Sequence, residues 1–318
     1  MRAHLPALLH SPPSTRQIVE KAVDDAMLAG ALSQLARSGN GLEHAYVRLD
    51  LKSKELTDIA AVAKCVHLRV IDLSGNLLTD VSAANTIPEL CSLNISGNKL
   101  TASNMEPRPF LQVADFSGNQ IADVSAGFAH PMLQKLNLSE NKLTSLEGLN
   151  GTQLPKITEL RITANMFTAV GSINLPTLTH LFLDGNQLES LDGIGALTSL
   201  QTFSARKNQI KTLDGFSEEQ KVLSSVDLGE NSITVLAEAS KLQVLTGLES
   251  LALAENAIAD DGEYRSEVLI SISNLVKLDD EPFEEEERVE AATQREKRKA
   301  DALAAAAEGD GEEGGEEE

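Results

Sequence analysis

Cysteine is almost missing from this chain: Cys65 and Cys91 are the only two. Two cysteines build neither a disulfide framework nor a zinc site, and none bracket the central part of the chain as paired cysteines do in secreted repeat proteins. A reducing, cytosolic setting is expected. Long apolar runs are missing too, since nothing approaches the roughly 18–20 residues that cross a bilayer. The Leu5–Leu9 stretch is short for a secretory core and runs into His10 and two prolines, so no signal peptide is read there. No glycine-rich phosphate loop, His-Glu-x-x-His or Gly-x-Ser-x-Gly motif occurs, and the histidines at 4, 10, 44, 67, 130 and 180 have no metal-ligand spacing. Neither enzyme, cofactor, metal nor small-molecule substrate is expected. Cations are the minority, 27 Lys+Arg against 48 Asp+Glu for a net charge of −21. That balance argues against nucleic-acid backbones and anionic membranes as partners. The excess is uneven, with 17 acidic and 5 basic residues over 279–318, a net of −12.

What the chain has in abundance is a repeat. Residues Leu178–Leu188, LTHLFLDGNQL, read L-x-x-L-x-L-x-x-N-x-L. The asparagine of this frame recurs at Asn76, Asn98, Asn119, Asn141, Asn165, Asn186, Asn208, Asn231 and Asn256, at gaps of 21 to 25 residues. So regular a period is the signature of a leucine-rich repeat array. Leu51–Asp58 (LKSKELTD) matches Leu73–Asp80 (LSGNLLTD) with Lys54 in place of the asparagine, which adds a worn first coil. The pattern predicts an α/β solenoid, a leucine-rich repeat horseshoe of about ten short, 22-residue-type coils. The leucines at −8, −5, −3 and +2 from each asparagine point inward, as Leu133, Leu136, Leu138 and Leu143 do around Asn141. A further apolar position follows five residues after the asparagine, and Ser103 and Asp261 break it. The L-x-L alternation makes one short strand per coil, stacked in parallel at about 4.8 Å. Coils this short leave room for turns and 3₁₀ pieces on the back. Each asparagine is read as scaffold, its amide bonding backbone groups that the coil would otherwise bury unpaired.

The ends differ from the array. Residues 1–13 are expected to be mobile. From Ser14 or Thr15 as cap, Ile18, Val19, Ala22, Val23, Met27, Leu28, Leu32 and Leu35 recur at helical steps. They predict a helical N-terminal cap over the first coil, divided at Gly30 and ended by Ser38–Gly41. After Asn256, Asp260 with Glu263 predicts a helix start, and Val268, Leu269, Ile272, Leu275 and Leu278 supply a face that closes the last coil. Beyond Phe283, a solvated helix is expected over residues 284–307 with no apolar stripe to bury, then a disordered end. Arg295–Lys299 (REKRK) reads as a solvent-facing charged turn, with a nuclear address as its other reading. The organisation is therefore residues 1–45 N-terminal segment and cap, 46–258 array, 259–283 C-terminal cap, and 284–318 acidic tail.

A binding surface is the remaining function. Positions −6, −4 and −2 from each asparagine line the concave face. They are small toward the ends (Val70, Asp72, Ser74; Ser250, Ala252, Ala254) and large or charged in the middle: Lys135, Glu159, Arg161, His180, Phe182, Asp184 and Arg206. An aromatic beside mixed charges is the layout of an interaction hot spot; the plainer reading has Phe182 merely packed on Arg161 and Arg206.

Two segments that the fold does not require, SGNGLEHAYVRLDLKSKELTDI (Ser38–Ile59) and EYRSEVLISISNLVKLDDEPFEEEERVEA (Glu263–Ala291), carry a family resemblance. Tyr264-Arg265 and Leu275-Val276-Lys277-Leu278-Asp279 also match the C-terminal cap of the shorter-coil repeats. With NQLES (Asn186–Ser190) and Gly215–Ser217, the chain resembles the leucine-rich repeat-containing protein twenty-three family over roughly residues 30–291. The resemblance implies a non-enzymatic structural component of the radial spokes of motile cilia and flagella. It would sit in the head region of the third spoke in the axoneme, part of the cytoskeleton of the cytoplasm, and bind other radial spoke and axonemal proteins. The glycine- and glutamate-rich tail and the short N-terminus depart from the family pattern. A phosphatase-regulatory repeat subunit would carry several acidic and aromatic concave residues where this chain has Phe182. An acidic-tailed nuclear histone-binding repeat protein would carry a purer acidic run than Glu284–Glu287, which REKRK follows.

Overall fold

The computed structural model describes residues 20–38, 41 and 43–309. The expectations for residues 1–13, for the Ser14 or Thr15 cap, for Ile18 and Val19, for Gly39 and Asn40, and for the end after residue 309 lie outside the described residues.

One strand per coil follows from the L-x-L alternation. The strands are β2 (His44–Asp50), β3 (Val70–Asp72), β4 (Ser92–Asn94), β5 (Val113–Asp115), β6 (Lys135–Asn137) and β7 (Glu159–Arg161). They continue as β8 (His180–Phe182), β9 (Thr202–Ser204), β10 (Ser225–Asp227) and β11 (Ser250–Ala252). These ten pair in parallel, each with its sequence neighbours, and the register never slips: the middle residue of each strand faces the middle residue of the next, Leu136 on Leu160 on Leu181 on Phe203. The whole sheet holds 13 strands in sequence order, with one before β2 and two after β11. The middle residues point inward with the other repeat leucines. Leu133, Leu136, Leu138 and Leu143 are all buried, each contributing on the order of 1.5–3 kcal/mol. On the back, 3₁₀ turns span Ala60–Lys64, Ser82–Thr86, Ile194–Ala196, Leu236–Val244 and Ala257–Asp260.

The asparagines do more than their expected local task, because each bridges two coils. Asn141 donates to Leu138 O in its own coil (3.0 Å) and to Phe116 O in the coil before (3.0 Å), while its Oδ1 accepts from Ile121 N (3.0 Å). All nine repeat this, and all but Asn231 are buried. The residue before each asparagine is left-handed, as at Gly118 (φ +63°), which explains the glycines there; Glu140, Ala164, Lys207, Glu230 and Glu255 hold the same conformation. A Cβ on Gly118 would meet the Gly97 backbone at 3.3 Å.

The N-terminal cap is corrected. The helix α1 covers only Asp25–Ala31, started by Asp24, whose carboxylate accepts from Met27 N (2.7 Å), and Gly30 lies inside it without dividing it. Before it, Lys21–Val23 lies extended along the first coil, with Val23 N donating to Asp58 O (3.1 Å). After it, Leu32–Arg37 is strand β1, antiparallel to β2. A helix would have covered the apolar end of the stack but left the backbone edge of β2 unpaired, and pairing that edge overrides the helical spacing of Leu32 and Leu35. Leu35 is accordingly exposed. The first coil's strand begins at His44, two residues before the expected boundary at residue 46.

At the other end, helix α2 covers Tyr264–Ser271 and begins later than Asp260 predicts. Asp261 takes the turn instead, its carboxylate accepting from Glu263 N (2.9 Å). Strand β12 (Lys277–Leu278) pairs in parallel with β11, and β13 (Glu281–Pro282) turns back on it. Asp279 supplies the acceptor that a further strand's carbonyl would offer: its Oδ1 accepts from Leu253 N (2.7 Å) and Ala254 N (2.8 Å), and Oδ2 from the Tyr264 hydroxyl (2.8 Å). The tail helix α3 spans Glu285–Gly309. Contrary to expectation, its first half is docked on α2, with Ala291 buried and Arg295 bonded to the carbonyls of Leu269 (2.8 Å) and Ile270 (2.9 Å). Among the described residues, no helix is long and apolar enough to cross a membrane.

Candidate partner-binding surface

The flanking residues of each three-residue strand alternate with the buried middle one and face the concave side. In the N-terminal half the last residue of the strand is Asp72, Asn94, Asp115 or Asn137. Each accepts from the backbone N–H two residues on, at Ser74 (2.9 Å), Ser96 (3.0 Å), Ser117 (2.9 Å) and Ser139 (3.1 Å). These polar side chains close turns. They are scaffold, and they leave a small, flat surface.

Parallel pairing brings the seven sequence-predicted residues together across β6 to β9. Lys135 faces Glu159, Glu159 faces His180, and Arg161 faces Phe182. The Glu159 carboxylate lies between two cations, Lys135 Nζ at 2.8 Å and Arg161 Nε at 2.7 Å. Burial pushes the Glu159 carboxyl up, but the hydrogen bonds and charges of Lys135 and Arg161 outweigh it and hold the group below the usual carboxylate range. Arg161 in turn lies over the Phe182 ring, its guanidinium carbon 4.1 Å from the centroid. Such stacking holds the ring and fixes the cation. Half of the plainer reading therefore holds: Phe182 packs on Arg161. Arg206 turns the other way, to Glu230 (2.9 Å). Asp184 accepts from Arg206 N (2.9 Å) and from the Ser204 hydroxyl. His180 Nδ1 lies 2.7 Å from the Thr179 hydroxyl, which itself donates to Thr158 O (2.9 Å). That leaves the imidazole as the donor of the pair.

Three contributors escaped the sequence reading. Glu230 binds Arg206 and also Lys207 (3.4 Å); hydrogen bonding from these two holds its carboxyl low, and the bond to Glu230 raises Arg206. Lys207 and Glu230 occupy the left-handed position before their asparagines, and neighbouring coils place that position side by side, so reading it down the chain would have found the pair. Asp227, on β10, has its carboxyl raised by burial and by the charges of Asp184 and Asp280. No group of three or more His, Cys, Asp or Glu among the described residues could hold a metal ion. The arrangement offers charged and aromatic contact.

A family model described as "Leucine-rich repeat" matches residues 179–307, and another described as "Leucine Rich repeat" matches residues 64–84. Leucine-rich repeat-containing protein 23 of Homo sapiens is 40% identical over 273 residues, 86% of this chain and 79% of that protein. Its counterpart in Xenopus tropicalis is 42% identical over 270 residues, 85% of this chain and 77% of that protein. Among solved structures, the functional domain of InlJ from Listeria monocytogenes superposes with a TM-score of 0.49 at 19% identity, covering 73% of this chain and 62% of that chain.

Proposed function

The chain belongs to the leucine-rich repeat-containing protein 23 family, and from that premise we propose that this repeat scaffold is a non-enzymatic structural part of the radial spoke of motile cilia and flagella, in the head region of the third spoke. One observation carries the reading. The match to the family takes in 86% of the chain, more than the repeat array occupies, so it includes flanking sequence that a solenoid does not need. The concave centre supplies the grip: an aromatic ring held by a stacked guanidinium, on a sheet whose register is fixed by the asparagine ladder.

Expression of a tagged copy in motile ciliated cells tests the proposal. Signal in axonemes that survives detergent extraction, with crosslinks to radial spoke proteins by mass spectrometry, is the expected result. A diffuse or nuclear signal would turn the reading toward a phosphatase-regulatory or histone-binding scaffold.

A further inference from the structure

Resting on the reading of the concave centre as a partner-binding surface, we infer that it takes an extended acidic segment of another protein, two carboxylates flanking an apolar side chain.

The charges here nearly balance, yet two arginine forks keep donors that no described residue uses. Glu159 has both oxygens engaged, by Arg161 Nε (2.7 Å) and Lys135 Nζ (2.8 Å). Glu230 is used the same way, by Arg206 Nε (2.9 Å) and Lys207 Nζ (3.4 Å). Each glutamate engages its arginine through Nε alone. No described residue accepts from the terminal amino groups of Arg161 or Arg206, although their side chains are 46% and 41% exposed. The two forks are thus anchored at the neck and open at the tip. Gly229 keeps the second one clear, because a Cβ there would lie 3.1 Å from Arg206 Nη1. Acceptors without a bond also face the patch: the second oxygens of Asp184 and Asp227, each of which already accepts backbone N–H through the other oxygen, the far imidazole nitrogen of His180, and the Glu255 carboxylate, whose charge acts on Arg206.

An open planar donor recognises a planar acceptor, and a carboxylate meets a guanidinium fork with two parallel, charge-assisted bonds. Fixing the necks in advance lowers the ordering cost of binding. Arg161 ends β7 and Arg206 lies two residues past the end of β9, so two strand spacings, about 10 Å, and a two-residue rise, about 7 Å, set them roughly 12 Å apart. An extended chain covers about 10 Å in three residues at roughly 3.3 Å each, and the length of the arginine and glutamate side chains spans the rest. Phe182, beside Arg161 in the sheet, stands on the strand between them, so an apolar side chain between the carboxylates meets the ring face that Arg161 leaves open.

Fluorescence anisotropy on the full chain tests this with a labelled peptide, SGEFSEGS, against versions carrying glutamine or lysine in place of glutamate. The acidic peptide should bind at least tenfold more tightly than either. Arg161→Gln and Arg206→Gln should each erase most of that preference with melting curves unchanged, and Arg206→Lys, which keeps the charge but loses the fork, should fail to restore it. Equal affinity for the glutamine peptide, no binding up to millimolar concentration, or full affinity in the variants overturns the inference. Should a glutamine variant fold poorly, Arg206→Lys and Arg161→Lys decide alone. Axonemal localisation is read separately: acidic selectivity without it sinks only the spoke reading, and spoke crosslinks unchanged by the arginine variants sink only this one.

Discussion

Asn186 donates to Leu183 O (2.7 Å) and Ile162 O (3.1 Å) and accepts from Asn165 N (3.1 Å) and Phe167 N (3.2 Å). Alanine there would strand buried backbone groups in two coils at once, each costing about 1–3 kcal/mol. Asn186→Ala should therefore lose about 3 kcal/mol or more in urea unfolding, and a loss under about 1 kcal/mol would remove the ladder from the account of stability. His130 acts in the opposite sense. It is fully buried, its Nδ1 accepts from Arg108 N (3.1 Å), and its Nε2 has no partner among the described residues. Burial first, and then the Arg108 charge, push its pKa down to about 4. Well above pH 6.5 neither folded nor unfolded imidazole is charged, so its ionisation has no effect on stability there. As pH falls from 6.5 toward 4, the unfolded chain takes the proton and the fold refuses it, which destabilises the protein by about 3 kcal/mol over that window. His130→Leu, which strands the Arg108 N–H, should be less stable at neutral pH and should lose stability less steeply between pH 6.5 and 4, as read from paired melts.

Among the elements, α3 departs furthest from its sequence reading. Alanine, glutamate and lysine explain why it is helical; they do not explain where it lies. Its docking joins the buried Ala291 to a set of charged contacts. Arg295 satisfies carbonyls in the last turn of α2, Arg298 pairs with Glu267, and Arg265 of α2 reaches Glu287 (2.5 Å) while stacking on Phe283 at 4.2 Å. The REKRK stretch is thus in part a latch. The double variant Arg295→Ala/Arg298→Ala should release α3 while leaving the array intact. Hydrogen exchange in residues 285–300 should rise at least tenfold, with exchange in β6 to β9 unchanged. An unchanged tail would mean that Ala291 and the apolar contacts suffice.

For the whole molecule, a stack of parallel strands has two open backbone edges, and both are closed by a reversal: β1 on β2, and β13 on β12. Unprotected edges recruit other chains. A chain beginning at His44 would expose the edge of β2 together with the apolar surface that Val23 and Leu28 now cover. It should form dimers or larger species by light scattering at concentrations where the full chain shows none; a monomeric, fully folded truncation would contradict the role given to β1.

The repeat, the strand positions, the inward leucines and the concave assignment of Lys135, Glu159, Arg161, His180, Phe182, Asp184 and Arg206 were legible because they are local. Period two and a 22-residue return specify which side chain faces where without reference to anything distant. Three matters needed the folded molecule. That β1 is a strand depends on an edge left open by β2, which the helical spacing of Leu32 and Leu35 does not register. That Arg161 stacks on Phe182 while Arg206 turns to Glu230 depends on which neighbour each long, flexible side chain reaches across adjacent strands. That α3 docks depends on orphan carbonyls at the end of α2, 25 and 26 residues away from Arg295. Pattern determines the periodic part of this protein; its ends and its charged side chains were decided by partners that exist only once the coils are stacked.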